Sequence, residues 1–99
     1  MDEALGTLAA ILSGQAGDDF ESATIAIEVD EGWSRMSFRC VRAGREVVLD
    51  VDAMQLSEAD DAIDDIIAAQ RAAGHGGWRR ALFTLSPDGE SRFVVFGED

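Results

Sequence analysis

The sequence predicts an α+β domain with the element order α-β-β-β-α-β-β, built as one antiparallel sheet with two helices packed on one face. Three observations carry this expectation. Apolar and polar residues alternate along three stretches between residues 22 and 51, as strands with one buried face require. A run over residues 56–77 instead repeats its apolar residues at helical spacing. The end of the chain holds two more apolar stretches joined by "SPDGE", a turn sequence.

The elements follow in chain order. Residues 3–13 place Leu5, Leu8, Ala9 and Leu12 on one helical stripe, with Gly14 as the expected stop and "GQAGDD" as a loop. In "SATIAIEV", residues 22–29, Ala23, Ile25, Ile27 and Val29 face one way. "DEG" at 30–32 turns the chain into "WSRMSFRCV". There Met36, Phe38 and Cys40 share one face, and Trp33, Arg35, Ser37, Arg39 and Val41 share the other. "RAGR" at 42–45 is a tight turn with its glycine at a positive-φ position, and "EVVLDV" follows with Val47, Leu49 and Val51 inward.

The long helix is expected to start at Ser57 as N-cap, with Asp60 as its capping-box acid and Glu58, Asp60 and Asp61 in the first turn. Ala59, Ile63, Ile66, Ile67 and Gln70 form its inward stripe, and Gly74 ends it. Two closing strands, "WRRALFTL" and "SRFVVFG", flank a type I turn with Pro87 at its second position. Their core residues are expected to be Phe83, Leu85, Phe93 and Val95. No repeat or linker divides residues 1–99, which are read as a single domain.

Composition narrows the function. Apolar content of 46% with 28% charged residues is that of a globular chain. There is no run of 18 apolar residues, and the acidic N-terminus is unlike the basic start of a signal peptide, so a soluble, cytoplasmic protein is expected. The eight basic residues, all Arg, stand against 20 acids and give a net charge of −12. Such a surface repels nucleic acid and anionic membrane and draws in basic proteins. The charge is also segregated. Residues 46–65 hold eight acids and no base, whereas four Arg fall between Arg35 and Arg45. One acidic and one basic face are the expectation.

The residues for catalysis are sparse. The single Cys40 excludes an internal disulfide and a cysteine metal cluster, and its phase with Met36 and Phe38 makes it a core residue. The single His75 lies in "GHGG" without a nucleophile motif and reads as a loop residue. The absence of Lys excludes Schiff-base chemistry. The glycines leave a helix C-terminus and enter a strand, the reverse of a phosphate-binding loop. No catalytic, cofactor-binding or metal-binding residues are assigned, and the chain is expected not to be an enzyme.

Contact residues are the better candidates. Asp60 and Asp64, like Asp61 and Asp65, are spaced i,i+4 on the solvent side of the long helix. Such pairs repel by a few tenths of a kcal/mol, and no base is interleaved to relieve them. A solvated helix face accounts for them, as does a surface, with Glu58, that meets a cationic partner. Trp33 lies in phase with Arg35 and Arg39, as a contact anchor or as a cover for the open sheet face.

Trp78 followed by "ALFTLSPDGESRFVVFGED" resembles the C-terminal end of YezG-like immunity proteins. That family closes with a Trp, a short strand ending in Leu, a D-G turn and a strand running into acid. Here these are Trp78, residues 82–85, Asp88-Gly89 and Phe93 through Asp99. The order of elements is also similar to the family's, although the chain is short before the long helix and has Phe96-Gly97 where an aromatic pair often stands. The resemblance implies a cytoplasmic immunity protein of a polymorphic toxin system. Such a protein binds a cognate secreted toxin, often a nuclease, and blocks it without chemistry of its own. The expected partner is a basic toxin domain, with no nucleic acid or membrane, and the protein itself a monomer or weak homodimer. The alternative is an acidic homodimeric chaperone wrapped by an unfolded segment of a secreted effector. A DNA mimic would need more than one acidic helix face, and an enzyme built on carboxylates alone would need them buried.

Overall fold

Alternation along the strands and a 3.6-residue period in two helices produce the expected α+β architecture. The computed structural model describes residues 2–17, 19–30, 33–74 and 78–96. Its elements are α1 (Asp2–Ala16), β1 (Ser22–Asp30), β2 (Trp33–Arg42), β3 (Arg45–Val48), α2 (Ala53–Ala72), β4 (Arg80–Leu85) and β5 (Ser91–Phe96). The five strands form one sheet in the order β3-β2-β1-β4-β5, with every neighbouring pair antiparallel. Glu31 and Gly32 of the first turn, His75 with Gly76 and Gly77, and residues 97–99 of the acidic end lie outside the described residues.

One face of the sheet and both helices share a single apolar core. β1 contributes Ala23, Ile25 and Ile27, β2 Phe38 and Cys40, and β4 Ala81, Phe83 and Leu85. Leu8, Ile11 and Leu12 of α1 meet Ala59, Ala62, Ile63 and Ile66 of α2 above them. The strand parities are those the sequence predicts, because a side-chain period of two leaves a buried strand no other choice. The opposite face is open. Its rows run Arg35–Glu28–Arg80–Phe96 and Ser37–Ala26–Leu82–Val94 across β2, β1, β4 and β5.

The helix ends depart from expectation. Helix α2 starts four residues before Ser57, with Asp52 as N-cap accepting a 2.8 Å hydrogen bond from the Gln55 backbone N–H. "DAMQ" supplies the cap and a Gln three residues on, and the Gln55 side chain accepts instead from Gln15 of α1 at 2.7 Å. Ser57 is therefore interior, and Glu58, Asp60 and Asp61 stand beyond the first turn, which carries no acid. Helix α1 runs through Gly14 to Ala16. It stops at Gly17, whose φ of 79° suits glycine and whose N–H donates to the Ser13 carbonyl. The Arg42 guanidinium donates to the Ala16 carbonyl, satisfying one of the orphan acceptors of that end. The inward stripe of α1 is shifted accordingly. Ala4, Ile11 and Ala16 join Leu8 and Leu12 inside, while Leu5 and Ala9 are half-buried.

Both hairpin turns have the expected chemistry. Ala43 and Gly44 both take positive φ, 52° and 74°, as a two-residue hairpin loop demands. At the second hairpin Gly89 donates to the Ser86 carbonyl at 3.0 Å, and Ser86 N–H donates to the Glu90 carbonyl at 2.8 Å. Trp78, buried before β4, donates its indole N–H to the Gln70 side chain of α2. It meets Phe93 of β5 edge-on, with 5.9 Å between ring centroids. The C-terminal half of α2 is thereby tied to the final hairpin.

Candidate functional site

Helix geometry decides where the five acids of α2 point. Residues one apart differ by about 100° around the axis, so Asp60 with Asp64 and Asp61 with Asp65 project along different flanks. All four are exposed, as is Glu58. On one flank Asp60 and Asp64 overhang the start of β2 and the end of β1. Ser34 Oγ donates a 2.6 Å hydrogen bond to Asp60 Oδ1 and fixes that distance. Val29, Ile63 and Ile67 floor the resulting groove of about 290 Å³, with Asp30 and Trp33 at its rim. On the other flank Glu58, Asp61 and Asp65 face α1, where they share a groove of about 380 Å³ with Glu3 and Thr7. Among the described residues no three His, Cys, Asp or Glu side chains are placed to hold a metal ion.

The acids therefore form two flanks and not one compact patch. The first flank joins two surfaces that are separate in the sequence, the acidic helix and Trp33. That indole is 48% exposed, and the Arg35 guanidinium lies 5.7 Å from its ring centroid, in cation–π range. Arg35 itself is on the open sheet face, opposite Glu28 in register, and does not line the groove. Arg39 does not belong to it. Six residues along β2 from Trp33, roughly 20 Å away at strand rise, it sits on the open sheet face and pairs with Glu46 at 2.6 Å. Both side chains are more than half exposed, so the pair adds little stability.

The expected separation into one acidic and one basic face is only partial. The helix layer carries the acids of α2, and the open sheet face carries Arg35, Arg39, Arg80 and Arg92 together with Glu28 and Glu46. Arg80 and Arg92 were not among the residues singled out from sequence. Strand parity would have found them, since they alternate with Ala81 and Phe93. Ser34, Val29 and Ile67 were also missed as groove residues. No local pattern announces them, because the groove exists only where α2 crosses the β1–β2 end. No helix among the described residues is long and apolar enough to cross a membrane. Against known proteins, the chain matches no family model, and no curated protein is significantly similar to it.

Proposed function

We propose that this protein is a cytoplasmic immunity protein that binds a cognate basic toxin domain and neutralises it by occlusion. The observation that carries the reading is the groove formed by Trp33, Asp60, Asp64, Ile63 and Ile67. An apolar floor, a partly exposed indole and two carboxylates are complementary to an Arg or Lys of a partner. The aliphatic stem lies along Ile63 and Ile67, and the charged head meets Asp60 and Asp64, with Trp33 at the rim. Trp and desolvated charge pairs are the usual anchors of protein interfaces. Unrelieved repulsion between Asp60 and Asp64, and between Asp61 and Asp65, is removed when a cation arrives. The net charge of −12 steers a basic domain toward the protein from a distance. A nuclease site, which is basic to hold phosphate, is the kind of surface such a field reaches first.

The test starts from the neighbouring genes: a toxin domain encoded there is co-produced with this protein. Cells carrying both survive, the two proteins co-purify with the toxin folded, and toxin activity falls in proportion to the bound fraction. A folded toxin that stays fully active in saturating amounts of this protein would overturn the reading. Binding only to an unfolded effector segment would establish the chaperone alternative.

A further inference from the structure

The sheet ends in two edges that differ in how they are guarded. The β3 edge is four residues long and carries Arg45 and Glu46, and after one more backbone bond, from Leu49 to Phe38, the chain turns toward α2. Short, charged edges resist pairing. The β5 edge is six residues, "SRFVVF", with one charged side chain, no proline and no described element beyond it in the sheet. Its hydrogen-bonding side follows from the turn. Ser86 N–H donates to the Glu90 carbonyl, so the bonded pairs alternate from there along the register. Arg92, Val94 and Phe96 bond to β4. Ser91, Phe93 and Val95 direct their N–H and C=O groups to the open edge.

We infer that β5 is a homodimer edge, pairing antiparallel with β5 of a second copy about a two-fold axis at Val94. This register is self-complementary. Phe93 faces Val95 of the other copy as a bonded pair, so the open donors and acceptors of these two residues are satisfied. On the outer face Val94 meets Val94, and Arg92 lies opposite Phe96, which is 49% exposed and offers its ring to the guanidinium. Among the described residues of β5, Ser91–Phe96, no like charges oppose each other.

The large negative charge does not prevent this. Asp60 is bonded to Ser34 on β2, and β2 is three strands from β5. At about 4.8 Å per strand, the Asp60 residues of the two copies stand roughly 30 Å apart. That is several times the screening length of about 8 Å at physiological salt. The end of α2 nearest β5 carries Arg71 instead. A six-residue edge buries less than a standard interface, so the dimer is weak and concentration-dependent. The groove at Trp33 is left uncovered, and the inference does not depend on what binds there.

Sedimentation equilibrium over about 10–500 µM, the range in which weak association shows, reads the result. The mass rises from 10.6 kDa toward twice that value. Amide exchange at Phe93 and Val95 slows with concentration, because those N–H groups become paired. Val94→Lys and Val94→Glu each place like charges on the axis and remain monomeric with unchanged circular dichroism. An equimolar mixture of the two restores the dimer mass. A wild-type monomer throughout, a dimer that Val94→Lys leaves intact, or a mixture that stays monomeric would each overturn the inference. So would a monomer whose Val94→Lys form loses toxin binding, which would assign the edge to a partner's strand.

Discussion

Replacing Phe83 by Ala is the sharpest test of the core. Phe83 is fully buried in β4, between Ile25 of β1 and Phe93 of β5 in register. Burying an aromatic side chain removes roughly 150–250 Å² from water. At about 25 cal/mol per Å² this is about 4–6 kcal/mol, of which an alanine keeps a small part. Measured Phe→Ala losses of about 3–5 kcal/mol agree. A domain of this size has about 5–15 kcal/mol in total, so the variant keeps between none and about four-fifths of its stability. At about 4–8 °C per kcal/mol, even a 3 kcal/mol loss lowers Tm by roughly 12–24 °C. The control is Phe96→Ala, on the opposite face of the same hairpin and 49% exposed, with an expected loss below about 1 kcal/mol. Thermal and urea unfolding followed by circular dichroism measure both. Equal losses for the two variants, or an unchanged Tm for Phe83→Ala, would refute the register of the final hairpin.

Two further predictions test the local structure. Asp52→Ala lowers stability by about 1 kcal/mol through loss of the α2 cap, whereas Ser57→Ala changes it by less than about 0.5 kcal/mol. The reverse order in urea unfolding would return the helix start to Ser57. Ala43→Asn raises stability by up to about 1 kcal/mol, because Asn tolerates the positive φ that Ala43 is forced to adopt. A fall in Tm on that change would show that the hairpin loop is not of this type.

The sequence revealed element types well and tertiary placement poorly, for physical reasons. A strand such as "SATIAIEV" carries its own orientation, since one step of misregister would expose Ile25 and Ile27. Caps are weaker signals that compete. Ser57 with Asp60 and Asp52 with Gln55 both satisfy the pattern, and Met54 and Leu56, which are exposed, obscured the earlier start. Gly14 read as a stop although its surroundings are open and its helix continues to Ala16. The pairing of β1 with β4 joins segments more than 50 residues apart, and periodicity says nothing about which strands meet. The groove was invisible for the same reason. Trp33 and Asp64 were each recognisable as contact residues, but their meeting depends on how α2 crosses the sheet.

The most direct test of the proposed function is the association kinetics of this protein with its purified toxin domain, at low and at physiological salt. The variants are Trp33→Ala, the pair Asp60→Asn with Asp64→Asn, and the pair Asp61→Asn with Asp65→Asn. Asn at position 60 retains the oxygen that accepts from Ser34, so the groove keeps its shape. If the groove is the anchor, Trp33→Ala speeds dissociation by about tenfold or more, as loss of a hot spot worth over about 1.4 kcal/mol requires. Neutralising Asp60 and Asp64 lowers the association rate, flattens its salt dependence and speeds dissociation. Neutralising Asp61 and Asp65 changes the association rate alone. Unchanged kinetics for folded Trp33→Ala and Asp60/Asp64 variants would contradict the account and move the contact to the Arg-bearing sheet face.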